Sequence, residues 1–214
     1  MIPFFCKKYS SGGGGGGTAL YTYIGTNTAN GVASVSLPAG WAVGDLLVGY
    51  DTGGSGVPTT PTAGWTQISS GTTNGVFVAY KIAASGDTAF SAGASSGYYA
   101  VSVFRKTSGS PVLDTSSINK YTASATIVAP TLASSTSGEL FFVVFGSADA
   151  ALHSPDPAAT SGTDTFLYTV NGFGGSGLVG NYTLTTTSGS FGGQTCGASA
   201  ASAYPAASVS MLFK

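Results

Sequence analysis

The sequence predicts an all-β fold, an antiparallel β-sandwich of jelly-roll-like type, and three observations carry that reading. Short runs of β-branched and aromatic residues alternate with polar ones at the period of two that a half-buried strand requires. Glycine-bearing turn signals separate the runs, among them Asn30-Gly31, Ala39-Gly40, Asn74-Gly75, Ser85-Gly86, Ser108-Gly109 and Asn171-Gly172. No stretch carries a helical period with caps, and no heptad repeat exists to drive a coiled coil.

Along the chain, strands are expected at Leu20–Ile24, Val32–Leu37, Asp45–Tyr50, Trp65–Ser69, Val76–Ile82, Thr88–Ser91 and Tyr98–Phe104. A second series follows at Ala125–Ala129, Glu139–Phe145, Thr165–Val170, Leu178–Thr187 and Ala207–Phe213. Val76, Val78, Tyr80 and Ile82 share one face of their strand, as do Tyr99, Val101 and Val103 of theirs. In the last strand Val209, Met211 and Phe213 point one way, leaving Ser208, Ser210 and Leu212 opposite. Leu140 to Phe145 is apolar on both faces, which predicts a central strand covered on both sides. Val43-Gly-Asp-Leu-Leu-Val48 and Ser137-Gly-Glu-Leu-Phe-Phe142 share the order glycine, acid, apolar strand. This internal echo suggests one sandwich built from two related halves.

Upstream the texture changes. Residues 1–11 form an arm whose apolar anchors are Ile2, Phe4, Phe5 and Tyr9, with the cations Lys7 and Lys8 among them. Six consecutive glycines, residues 12–17, read as a flexible linker, because such a run has maximal backbone freedom and nothing to bury. Residues 18–214 read as one continuous β-sandwich domain, a size at which a core needs no metal or disulfide.

Composition narrows the function. Only 7% of the 214 residues are charged, against about 25% in ordinary domains, while glycine supplies 33 positions. Net charge is -1, with no basic stripe, so nucleic-acid binding is not expected. Mean hydropathy is +0.28, but the apolar runs fall far short of the ~20 residues of a spanning helix, and no membrane partner is expected. Charge so near zero gives copies little reason to repel, which favours homo-oligomers. The N-terminus places apolar residues before cations, the reverse of a secretory signal, so export by that route is not expected.

The same scarcity empties the search for chemistry. His153 is the only histidine, and it stands in a proline-bounded loop without a partner nucleophile motif. Gly53-Gly-Ser-Gly56 and Gly174-Gly-Ser-Gly177 both miss the spacing of a nucleophile elbow, and the glycine run lacks the lysine of a phosphate-binding loop. Cys6, Cys196 and His153 do not fall at zinc-ligand spacings, and Asp149, Asp156 and Asp164 lack the spacing of a calcium loop. No catalytic residue, metal or cofactor is expected. Cys6 and Cys196 are read either as independent thiols or as a bridge closing most of the chain. Trp65, Tyr98 and Tyr99 are read either as core and turn packing or as a surface patch for glycan or protein.

Several segments also occur in a telling order: Gly44-Asp-Leu-Leu-Val48, Pro61-Thr-Ala-Gly-Trp-Thr-Gln-Ile68, Ala79-Tyr-Lys-Ile-Ala83, and Gly86-Asp87 followed by Phe90. Tyr99-Ala-Val-Ser-Val-Phe-Arg105 and Ala206 to Phe213 complete the series. This order, from about Ala39 to Phe213, resembles the β-sandwich structural proteins of tailed bacteriophages: capsid decoration, head-fibre or tail-fibre modules. The long Pro/Ala/Ser stretch around Leu152–Thr163 departs from that pattern and leaves the strand count open. The resemblance implies a non-enzymatic virion component, made in the host bacterial cytoplasm and placed on the particle exterior. Its partners would be other virion proteins, reached through the arm by Ile2, Phe4, Phe5, Lys7 and Lys8. The alternative is a tail-fibre adhesin that binds host surface glycan through Trp65, Tyr98 and Tyr99.

Overall fold

The computed structural model describes residues 19–53, 63–70, 76–92, 97–121, 126–134, 136–147, 164–171, 177–185, 188–197 and 206–214. Among them every regular element is a strand, and every pairing is antiparallel. The N-terminal half contains β1 (Tyr21–Val32), β2 (Val35–Ser36), β3 (Leu46–Gly53), β4 (Thr66–Ser69), β5 (Phe77–Ile82), β6 (Ala89–Phe90) and β7 (Gly97–Lys106). The C-terminal half contains β8 (Leu113–Tyr121), β9 (Thr126–Val128), β10 (Leu132–Ser134), β11 (Leu140–Ser147), β12 (Asp164–Asn171), β13 (Gly177–Leu184), β14 (Gly189–Phe191), β15 (Thr195–Gly197) and β16 (Ala206–Phe213).

Each half builds one five-stranded sheet. The N-terminal sheet runs β1-β7-β3-β5-β4 and the C-terminal sheet, read from its own first strand, β8-β16-β11-β13-β12. The two orders are the same order: first strand, last strand, then the strand after the glycine–acid turn, then its two hairpin partners in reverse. The register repeats as well. Leu46 lies opposite Ile82 and Phe104, and Leu140 lies opposite Leu184 and Phe213. Gly44 and Gly138 both take a left-handed φ, at 94° and 88°, which a side chain would resist. Asp45 Oδ2 accepts from the Ala42 backbone N–H, and Glu139 Oε1 accepts from the Thr136 hydroxyl, each acid closing its turn three residues back. The six-residue echo in the sequence therefore stands at the same place in two five-stranded sheets of the same strand order.

Period-two alternation then divides the apolar residues among three cores. The central core lies between the two sheets: Leu46, Val48, Tyr50, Val78 and Phe104 from one, Leu140, Phe142, Val144, Val209 and Met211 from the other. The outer face of the N-terminal sheet carries Leu47, Phe77, Tyr99, Val101 and Val103, roofed by Val35 and Phe90 of the β2-β6 ribbon. The outer face of the C-terminal sheet carries Phe141, Val143, Phe145 and Leu212, roofed by Ile127, Leu132, Phe191 and Cys196 of the β9-β15 and β10-β14 ribbons. β11 is thus covered on both faces, as its sequence requires. The faces expected for Val76–Ile82, Tyr99–Val103 and Val209–Phe213 are the faces observed. Fully burying each such Phe or Val side chain stabilises by about 1.5–3 kcal/mol.

Three expectations change. Asn30-Gly31 is not a hairpin turn: β1 runs through it from Tyr21 to Val32, and Gly31, at φ 68°, absorbs a register shift against β7. Leu113–Tyr121, between the expected strands Tyr98–Phe104 and Ala125–Ala129, is a further strand, the edge strand β8. β10, β14 and β15 are also strands, short ones that form the outer ribbons. The arm (1–11), the glycine linker (12–17), His153, Cys6, Asp149 and Asp156 lie outside the described residues.

Candidate functional site

The few charges of the described residues are placed where they hold turns and strand ends together. Arg105 on β7 donates from Nε to Asp45 Oδ1 at 2.8 Å and from Nη2 to Asp45 Oδ2 at 2.9 Å, and Nη2 also reaches the Gly40 carbonyl at 2.9 Å. Asp45 is buried beside β3, and this forked pairing supplies both of its carboxylate oxygens with a donor. Lys81 Nζ lies 2.6 Å from Asp87 Oδ1. Burial pulls the Asp87 carboxyl upward, but the Ala84 N–H and the Lys81 ammonium outweigh it and hold the pKa below its usual value. Lys214 pairs with Asp114, whose hydrogen bond and charge raise the lysine's pKa. Asp45 and Asp87 lie in separate turns and Asp114 on β8, and no group of three His, Cys, Asp or Glu suited to a metal occurs among the described residues.

One acid behaves differently. Asp51 on β3 is fully buried, and neither of its carboxylate oxygens meets a hydrogen-bond partner among the described residues. Burial pushes its pKa from 3.8 up to about 8; the nearby Tyr98 backbone N–H opposes that rise without forming a well-made bond. Alternation puts Asp51 on the same outer face as Leu47 and Gly49, opposite Phe77 and Tyr99 in the register. The equivalent position of the C-terminal half, five residues after Leu140 as Asp51 is after Leu46, is the buried Phe145. Sequence reading passes over Asp51, although its parity with Leu47 is the signal that finds it.

Trp65, Tyr98 and Tyr99, read either as packing or as a surface patch, do not share one face. Tyr99 has 0% of its surface exposed, its ring centroid 6.0 Å from Phe90 in the N-terminal outer core. Tyr98, one residue earlier on the same strand, points to the opposite face and is 8% exposed. Trp65, just before β4, is half-buried with its ring 4.8 Å from that of Phe90. Phe90 is thus a hub, and Trp65 and Tyr99 are packing partners around it, while Tyr98 and Tyr99 are buried on opposite faces of β7. Ile2, Phe4, Phe5, Lys7 and Lys8 lie outside the described residues.

Cys196 sits in the C-terminal outer core, where burial lifts its thiol to about 12 and suppresses the thiolate that nucleophilic or metal chemistry needs. The described residues offer apolar cores, turn-locking ion pairs and one buried, largely protonated acid. Comparison with protein-family models, with curated proteins and with solved structures finds no match to this chain.

Proposed function

We propose that this chain is a non-enzymatic structural component of a phage virion, a decoration or fibre protein on the particle exterior. It is made in the bacterial cytoplasm and assembles as a homo-oligomer against capsid or tail subunits. The observation that supports this reading most directly is the disposition of charge: the ion pairs of Asp45, Asp87 and Asp114 close turns and strand ends instead of lining a cleft. The order of segments from Ala39 to Phe213 supports the bacteriophage assignment. Attachment is assigned to the arm, in which Ile2, Phe4 and Phe5 supply apolar area on a glycine tether and Lys7 and Lys8 complement an acidic rim.

Deleting residues 2–9 tests it. The truncated chain should keep its far-UV spectrum and melting temperature but disappear from purified particles. Incorporation at the level of the full chain would remove the arm from this role. The adhesin reading retains one observation in its favour, the half-buried ring of Trp65, and predicts glycan-array binding that Trp65→Ala abolishes.

A further inference from the structure

Sheet edges are where an antiparallel sandwich is open to other chains, because an outer strand has backbone N–H and C=O groups without ladder partners. Four strands are outermost in the two large sheets: β1, β4, β8 and β12. Three of them carry features that discourage pairing. β4 is four residues long with a register shift against β5. β8 carries Asp114 and Lys120 and a register shift at its start. β12 begins on Asp164 and has a shift between Phe166 and Tyr168. β1 differs from all three. It is twelve residues long, Tyr-Thr-Tyr-Ile-Gly-Thr-Asn-Thr-Ala-Asn-Gly-Val, without one charge or proline. Its two register shifts, at Tyr23/Gly25 and Asn30/Val32, bracket a regular stretch from Gly25 to Asn30.

We infer that the β1 edge, over Gly25–Asn30, is a self-pairing surface whose occupant is β1 of a second copy of this chain. A two-fold axis normal to the sheet makes such a pairing antiparallel and joins the two N-terminal sheets into one continuous sheet. Residues facing each other across the axis must lie on the same sheet face, so the axis passes through a residue and not between two. Centred on Asn27, it sets Thr26 against Thr28 and Gly25 against Ala29 of the other copy. Thr26 lies on the inner face, where its hydroxyl is 2.8 Å from Ser102 Oγ, and Ala29 lies on the outer face. The stretch is therefore complementary to its own reverse: hydroxyl on hydroxyl on one face, and on the other small on small flanking Asn27, whose amide donates to the Ser36 carbonyl of its own chain at 3.1 Å. Thr28, Asn30 and Val32 are exposed or half-exposed, and nothing in the whole-chain charge of -1 pushes two copies apart. This pairing does not depend on the virion role; it follows from the edge alone.

The full-length chain tests it in two ways. Sedimentation velocity should show a dimer, and Thr28→Lys with Asn30→Lys should raise its dissociation constant at least about tenfold, by placing four positive charges along the paired edges with the two position-28 charges diagonal to each other at the axis. The melting temperature of that variant in the monomeric state should stay unchanged. In a Cys6→Ser background, Asn27→Cys should form a disulfide-linked dimer on mild oxidation, since facing strand positions lie within disulfide reach. Ser116→Cys on the β8 edge, in the same background, should not. A monomeric native chain, a dimer indifferent to both lysines, or equal cross-linking from positions 27 and 116 would overturn the pairing. Should the double lysine variant fail to fold, the cross-linking pair decides alone.

Discussion

Asp51 shows how much one side chain can set the behaviour of this fold. Its carboxyl group, without a hydrogen-bond partner among the described residues, is held in an outer core where the C-terminal half places a phenylalanine. Its pKa rises because the charged form loses water and gains little in return. The linkage has a definite sign. Between the unfolded value of 3.8 and the folded value of about 8, the unfolded chain has released the proton while the folded chain keeps it. The unfolded state then binds fewer protons, so stability falls as pH rises across that window. Below about pH 4 both states are protonated and the contribution is fully present. A tenfold difference in proton affinity between the two states is worth ~1.4 kcal/mol, so the loss by pH 8 is on the order of several kcal/mol. Chemical denaturation at a series of pH values checks this: the parent should weaken steadily toward pH 8, and Asp51→Asn should show a nearly flat profile over the same range. A parent whose stability is level across that window would mean that the folded carboxyl ionises near its ordinary value.

The elements divide into those the sequence declares and those it hides, and the division follows burial. β5, β7, β11 and β16 are legible because buried strands must be apolar on every face that meets a core, and alternation records this directly. β8 is not, because an edge strand packs one side and wets the other; only Leu113 and Ile118 reach the central core. The ribbon strands are hidden for a different reason: two or three residues carry no period. At the candidate site, the turn acids are legible from the glycine–acid pattern. The burial of Tyr99 is written in its parity with Val101 and Val103, but a tyrosine's chemistry reads equally as surface or core. The ribbon elements hold a further dependence on glycine. Between β9-β15 and β10-β14 the strand pair bends where Pro130 faces Gly192, which stands at φ 131°, and a Cβ there would lie 2.3 Å from the Pro130 carbonyl oxygen. Since the obstacle is backbone, it cannot swing aside. Gly192→Ala should therefore destabilise by about 1–3 kcal/mol in thermal or urea melts. Gly189→Ala, at a positive φ with open space around it, separates conformational strain from collision: it should be the milder of the two.

At the scale of the whole molecule, the repeated topology means that each half is finished on one face only. Its ribbon roofs the outer core, while the inner face, with Leu46, Val48, Tyr50 and Phe104 in one half and Leu140, Phe142, Met211 and Phe213 in the other, has no cover except its twin. Contacts across the joint are apolar and aromatic: Tyr50 packs edge-on against Phe142 at 5.6 Å, Phe104 against Tyr182 at 5.1 Å, and Tyr80 against Phe213 at 5.4 Å. The ends are tied as well, the Tyr21 hydroxyl donating to the Lys214 carbonyl and Leu20 lying over Gly138. Burial of this kind is the dominant favourable term in association, and it needs no covalent link between the halves. The chain between β7 and β8 passes through Gly109 at φ 70°, between Thr107, bonded to Leu20, and Val112, bonded to Lys214, so a break after Gly109 leaves those backbone bonds in place. Fragments 1–109 and 110–214 should accordingly fail to melt cooperatively as isolated monomers, because each exposes a sheet-sized apolar face. Mixed or co-expressed, they should associate one to one and regain the near-UV aromatic signal of the intact chain. Analytical ultracentrifugation with circular dichroism makes the comparison. A fragment that unfolds cooperatively as a monomer would show that each half completes its core without the other, and the central packing would then be a docking of two finished domains.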